Sequence, residues 1–452
     1  MEKLLLFVLV ITEIVFAIRE ITSHVTKKEW AKGRSLVNAG EIIIYLIMTV
    51  LPGIDFSSRF EWLIKLLVIR LIISGIVLLA SRKNEKSKKT SAIVIGTIFG
   101  IILIAVSMAT AFIFTDYAGR PVTGPYTVAR SNAILVDENR IEEFETDGSF
   151  REVPVYFFYP ECIDELEPGS LPLVIFSHGA FGYYESNAST YLELASNGYV
   201  VVSIEHPYHS LFTKDTSGKT ITVDPGFFNS VMDAGVKSEA EVYEMSTVWM
   251  ELREADMNFA LDTIIASADN GSVGNEWYLT DASEDDITKI LAGIDTGKIG
   301  LMGHSLGGAT AVTVGRRSDV SAVIDFDGTM LGEEIGFENG NIVVNPESYD
   351  TPILCFDSEL HHADRVEAEE SGYIYSNNVI MDNAAEGYSV YFEGTAHMNF
   401  TDLPLFSPFL AKNLGMGDAD PEECIDKINS ITLQFFDHYL KGIGEFEVDE
   451  KY

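Results

Sequence analysis

Beyond about Tyr117 the chain alternates short apolar runs with longer amphipathic ones, and no other feature narrows its fold as far. The runs VPVYFFY, PLVIFSH, YVVVSI, KIGLM, AVIDFD, PILCFD and YSVYFE read as strands. EVYEMSTVWMELREADMNFALDTIIA, the stretch after Ser305 and the closing CIDKINSITLQFFDHYL read as helices. Strands alternating with helices predict an α/β fold, a mostly parallel sheet covered on both faces. The active site of such a sheet lies at the carboxyl ends of its strands.

The first quarter is different. Four apolar runs, about 4–18, 36–54, 61–80 and 92–115, predict a transmembrane four-helix region over 1–116 ahead of a domain over 117–452. The last run is free of charge, and at about 1.5 Å per residue it exceeds a ~30 Å hydrocarbon core. Glu13, Glu41, Lys65 and Arg70 interrupt the others; charges at membrane depth are costly, so mutual pairing inside a bundle is the expectation. The loops REITSHVTKKEWAKGRS and SRKNEKSKKT each carry five Lys and Arg. Placing both in the cytoplasm puts the N-terminus and everything after Phe114 outside. The expectation is a multi-pass protein of the cell membrane with an extracytoplasmic second domain. A signal peptide ending at VFA is the alternative for the first run.

Charge divides the same way. Residues 1–120 hold 15 Lys and Arg against 9 Asp and Glu, whereas the whole chain carries −37. An outer domain that acidic repels phosphates and anionic bilayers, which excludes nucleic acid as a partner. The three cysteines, Cys162, Cys355 and Cys424, have neither disulfide-framework nor zinc-site spacing.

KIGLMGHSLGGATAVTVG, Lys298–Gly315, brackets Ser305 with glycines between a strand-like and a helix-like run. A nucleophile elbow needs that context: the serine sits on a strained strand-to-helix turn, and nearby glycines let the backbone double back. The alternative for an isolated serine here is a helix cap. Its base should be a late histidine on a loop after a strand. His397, in YFEGTAHMNFTD, occupies such a loop; His438 falls within the final helix, and His361 and His362, in SELHHAD, read as an exposed loop. The oxyanion hole needs two backbone N–H groups. Leu306 supplies one, and the loop Ser177-His178-Gly179-Ala180 offers the second at Ala180. For the acid, Asp327 in AVIDFDGTM and Asp357 in PILCFDSE both qualify. Asp325 shares a strand face with Asp327 but lies about 7 Å deeper at ~3.3 Å per residue.

PLVIFSHGAFG, VVVSIEHPYHS, GHSLGGAT, AVIDFDGTM, PILCFDSE and GTAHMNF occur in the order and approximate spacing of the platelet-activating factor acetylhydrolase family, which the chain resembles over about 121–445. GPYTV near Gly124 is similar to that family's entry segment. The resemblance implies the α/β-hydrolase fold and calcium-independent, phospholipase A2-type ester hydrolysis. It also implies Ser305 as nucleophile, His397 as base, Asp327 as acid, and Leu306 and Ala180 as oxyanion donors. Cutinase-like polyester hydrolases and dienelactone hydrolases share the sheet. The expectation is a membrane-anchored serine hydrolase of small-molecule or lipid esters, with no metal and no organic cofactor. An acyltransferase using the same triad, and a membrane sensor with a vestigial hydrolase domain, are the competing readings. Oligomeric state is not legible.

Overall fold

The computed structural model describes all residues, Met1–Tyr452. The chain forms two compact units, one of residues 1–118 with 405–410, the other of residues 119–404 with 411–452.

In the first unit four helices follow one another, α1 (Glu2–Thr22), α2 (Lys27–Met48), α3 (Glu61–Ala80) and α4 (Thr90–Ser107). A short helix over Ala109–Ile113 succeeds α4, so the run expected to be continuous over 92–115 is broken at Met108. Two helical stretches, Ser58–Ala80 and Thr90–Ser107, are long and apolar enough to cross a membrane, not the four expected. Their outward residues, among them Ile69, Ile73, Ile76, Ile95, Phe99 and Val106, are exposed and apolar. The first two helices fall short because charge interrupts them. Glu13 is fully buried in α1 and binds Arg34 at 2.6 Å and Arg70; Arg70 also lies 3.2 Å from Glu41. Lys65 pairs instead with Glu61, one turn away on the surface. The segment 405–410 joins this unit through backbone contacts: the Thr115 N–H donates to the Phe406 carbonyl at 2.8 Å.

The second unit is built on a nine-stranded sheet. Its strands are β1 (Val128–Ile141), β2 (Phe150–Pro160), β3 (Leu171–Ser177), β4 (Val200–Ile204), β5 (Trp277–Leu279), β6 (Ile294–His304), β7 (Ala322–Phe326), β8 (Ile353–Ser358) and β9 (Gly387–Phe392). Their order across the sheet is β9-β8-β7-β6-β3-β4-β2-β1-β5. The six from β9 to β4 are parallel; β2, β1 and β5 continue the edge antiparallel. Strands β3, β4 and β7 are buried at every residue, as continuous apolar runs in a sheet covered on both faces should be.

The covering helices are α5 (Ala188–Ser196), α6 (Pro225–Asp233), α7 (Glu239–Asn270), α8 (Leu306–Val314), α9 (Glu359–Ser371) and α10 (Pro421–Lys441). Helix α7 runs 32 residues between a Ser238–Glu241 capping box and Gly271 in the left-handed region. It buries Met257, Ala260, Leu261 and Ile264 against the sheet, in one core with Leu173, Val202, Ile299 and Val323. Helix α7 is therefore packed scaffold. All three cysteines are free thiols.

Candidate active site

Ser305 sits between the end of β6 and the start of α8 with φ at +57° and ψ at −125°. A non-glycine residue in such a conformation is strained, and strain of this kind persists only where the surroundings enforce it. The glycines show how. A Cβ at Gly303 would overlap the Gly307 carbonyl, and one at Gly307 would overlap the carbonyls of Ser177 and His178. Gly179 lies against the serine itself: a Cβ there would stand 3.1 Å from Ser305 Cβ and 2.9 Å from His304 Nδ1. The elbow and the β3 loop thus interlock through backbone alone.

Asp327 follows β7 with φ at +54°, also left-handed. This turn swings its carboxylate to His397, whose Nδ1 lies 2.7 Å from Asp327 Oδ2. The other oxygen, Oδ1, accepts the Ser358 N–H at 2.6 Å. Burial would raise the Asp327 carboxyl, but hydrogen bonds from His361 and His397 outweigh it and hold the group well below the usual carboxylate range. The acid stays ionised opposite the imidazole.

Asp325 does something else. It is 1 % exposed and its Oδ1 accepts the Gly328 N–H at 3.0 Å, bracing the turn. Burial, with Asp357 and Asp327 nearby, pushes it well above the usual range. Asp357 is bonded instead to Arg365 and lies 3.4 Å from His361 Nδ1.

His397 occupies a short 3₁₀ turn, His397–Phe400, after β9. Its side chain is 42 % exposed. The ring centroid lies 4.5 Å from that of His304, the residue before Ser305, and the His397 carbonyl is 3.2 Å from His304 Nε2. Burial and the neighbouring His397 lower the His304 imidazole to about 3, so it remains neutral. The structure therefore brings His397 together with Asp327 directly, and beside Ser305 through its chain neighbour. No Ser305–His397 hydrogen bond is formed. In ester hydrolases, a nucleophile–base hydrogen bond is often long in the unliganded state and tightens when substrate binds.

Leu306 and Ala180 flank the serine and share one apolar cluster with Phe227, Trp249, Met250 and Ala309. Leu306 is the first residue of α8, where a helix leaves its N–H groups unpaired.

The expectation of an exposed loop at His361 and His362 is corrected. Ser358 ends β8 and caps α9 at once, its Oγ accepting the His361 N–H at 3.2 Å, so no loop intervenes. His361 is buried, its Nδ1 3.3 Å from Asp327 Oδ1. Burial lowers His361, but hydrogen bonding to Asp327 and the Asp357 charge outweigh it and raise the imidazole above its ordinary value.

A separate, hydrogen-bonded Ser–His–Asp chain lies elsewhere in the domain. Ser177 Oγ lies 2.8 Å from His206 Nε2, and His206 Nδ1 3.0 Å from Asp256 Oδ2. All three residues are 0 % exposed, so no substrate reaches them. Burial holds His206 down to about 3, and Asp256 is tied to Arg151 and Arg140. This chain supports the β3 loop from beneath.

A mostly parallel sheet whose central strand ends in a left-handed serine and a glycine-lined helix start defines an α/β-hydrolase. Within that class the chain belongs to the family of platelet-activating factor acetylhydrolase, isoform II, whose profile matches residues 161–450. It is 24 % identical to platelet-activating factor acetylhydrolase of Gallus gallus over 62 % of this chain and 65 % of that protein. It is 25 % identical to the Bos taurus protein over 61 % of this chain and 59 % of the relative. The chain thus spans less than two thirds of either relative's length. Among solved structures, a ferulic acid esterase from Streptomyces cinnamoneus superposes with a TM-score of 0.50 at 19 % identity, covering 74 % of this chain and 97 % of the other. That likeness concerns the fold.

Proposed function

We propose that the protein is a serine ester hydrolase in which Ser305, His397 and Asp327 act as a triad. The observation that carries this reading is the 2.7 Å Asp327–His397 hydrogen bond, on a ring packed beside a strained elbow serine. With Nδ1–H donated to Asp327, Nε2 carries the free lone pair. It takes the Ser305 hydroxyl proton as Oγ attacks the acyl carbonyl, then returns that proton to the leaving alcohol. Ionised Asp327 fixes the tautomer and stabilises the imidazolium. The Leu306 and Ala180 N–H groups receive the tetrahedral oxyanion. Water repeats the sequence on the acyl-enzyme and frees the acid.

Family membership supports an acyl ester of a lipid, short-chain phospholipids among them, as the substrate class. The apolar cluster around Leu306 and Ala180 suits the acyl side of such a molecule. The apolar outer faces of α3 and α4 support anchoring, and the basic loop between them, SRKNEKSKKT, supports an arrangement with residues 117–452 outside the cell membrane. Activity on p-nitrophenyl esters and short-chain phospholipids, with covalent labelling by a fluorophosphonate, tests the reading. A wild-type protein that neither hydrolyses any ester nor takes up the label would refute it.

A further inference from the structure

Arg253, on α7, is fully buried. Arginine is almost never buried without a charged partner, because desolvating a guanidinium is expensive. Yet Arg253 has no direct ion-pair partner: Asp256 and Glu205 act on its charge only from a distance. Asp256 is held by Arg151 and Arg140, while Glu205 accepts the Tyr184 N–H at 2.7 Å and lies 3.4 Å from His178 Nε2. Arg253 instead donates to the backbone: Nη1 to the His178 carbonyl at 2.5 Å, Nη2 to the Gly179 carbonyl at 3.2 Å. Its Nε faces His209 Nδ1 at 3.4 Å, an imidazole kept neutral by burial and by the arginine's own charge.

Those two carbonyls are successive, and they belong to the loop that carries Ala180. The chain contains no cis peptide. In a planar trans peptide the C=O and N–H point in opposite directions. Turning the His178 and Gly179 carbonyls toward one guanidinium therefore turns the Gly179 and Ala180 N–H groups away from it together. Successive N–H groups with a shared direction form an anion-binding concavity. This one passes beside the nucleophile, since Gly179 abuts Ser305 Cβ. His178 Nδ1, 2.7 Å from the Gly179 carbonyl, reinforces the same peptide plane. A charged donor on a carbonyl also polarises the amide and strengthens its N–H as a donor.

We propose that Arg253 is a positioning residue for the oxyanion hole: it locks the His178 and Gly179 carbonyls so that the Ala180 N–H faces the developing oxyanion. Its buried positive charge stands behind that donor. The proposal rests on the esterase reading above, and the experiment separates the two. Arg253→Gln and Arg253→Lys are made in the full chain, with folding followed by circular dichroism and thermal unfolding. For each, kcat and KM on p-nitrophenyl acetate are measured. So is the Ki of an aryl trifluoromethyl ketone, which adds to Ser305 and places an oxyanion in the hole. Arg253→Gln should lower kcat by about 10²–10³, the usual loss for one oxyanion donor, with KM within threefold. The ketone's Ki should rise by the same factor as kcat/KM falls. Arg253→Lys, which keeps the charge and reaches one carbonyl, should fall between. A folded Arg253→Gln with kcat within tenfold of wild type, or a loss of kcat without a parallel rise in Ki, overturns the proposal and leaves the esterase reading intact. Failure of both variants to fold makes the arginine a structural residue and overturns it equally. A wild type that binds no ketone and takes no fluorophosphonate removes the esterase reading and the proposal together.

Discussion

Asp327→Asn is the sharpest test of the triad, because both oxygens of that carboxylate meet N–H donors. Oδ2 faces His397 Nδ1 at 2.7 Å and Oδ1 accepts from the Ser358 backbone at 2.6 Å. An asparagine amide offers one oxygen and one NH₂. Whichever way it turns, the NH₂ opposes an N–H. The backbone donor at Ser358 is fixed, so the amide oxygen stays with it and the imidazole yields. Its proton then moves to Nε2, the nitrogen that must accept the serine proton. A wrong tautomer of this kind costs up to ~10⁴ in kcat, about 5.5 kcal/mol at 1.36 kcal/mol per decade, with little change in KM. Asp357→Asn disturbs only Arg365 and His361 and should cost no more than about tenfold. The assay is p-nitrophenyl acetate turnover on both variants at matched folded concentration. If Asp357→Asn is the crippling change, or Asp327→Asn retains more than a tenth of wild-type kcat, the assignment of the acid fails.

Ser305→Ala should abolish fluorophosphonate labelling and lower kcat by ~10⁶ without loss of fold; residual activity within tenfold of wild type would disprove a nucleophilic role. In an active cysteine-free parent, a cysteine at Asn84 should be shielded from an impermeant thiol reagent in intact cells and one at Asn270 should react; the reverse pattern inverts the orientation. Asp402 is buried and its carboxyl is raised to about 6, chiefly by burial. A group whose folded value is raised contributes stability below its unfolded value, about 3.9, and that stability is lost as pH rises through about 6. Asparagine can accept the Ser189 N–H and donate to Ser189 Oγ, which the carboxylate now receives at 2.7 and 2.5 Å. Asp402→Asn should therefore gain up to about 3 kcal/mol at pH 8 and little at pH 4, read by chemical denaturation at both; an equal shift at the two pH values contradicts the burial argument.

The parallel half of the sheet and the elbow were legible because most strands there are continuous apolar runs, and the glycines around Ser305 have no side chain to explain them otherwise. Strand β1 was not. Its sequence VARSNAILVDENRI carries one short apolar run, AILV, between half-exposed polar stretches, as an antiparallel strand near an edge does, so a fourteen-residue strand is not marked. Three-residue β5 is too short to carry any pattern. His361 escaped because two adjacent histidines in an acidic stretch look solvent-facing. Only the abrupt strand-to-helix passage at Ser358, with that serine as cap, turns one of them inward. Arg253 did leave a trace: it interrupts the stripe Met250, Met257, Leu261, Ile264 at helical spacing, where a charge has no reason to be unless something buried needs it. The first two helices fall short of the four-span expectation for a different reason. Their charges were visible, but Glu13 in α1 and Arg34 and Glu41 in α2, which cluster with Arg70 of α3, leave both helices too charged to match the apolarity of α3 and α4.

The buried chain of Ser177, His206 and Asp256 bears on how this molecule should be dissected. A saturation scan scored by lost activity alone would nominate two triads, since His206→Ala empties a fully enclosed site beside the β3 loop, and that loop lies against Ser305 at Gly179. Shape matching on three side chains would rank the enclosed set no lower, because its 2.8 and 3.0 Å spacings are the tighter constellation. Reagents see the molecule from outside and draw the distinction at once. One equivalent of organophosphorus label per chain is the stoichiometry this architecture dictates, and a Ser177→Ala protein that still folds should accept the same single equivalent as its parent.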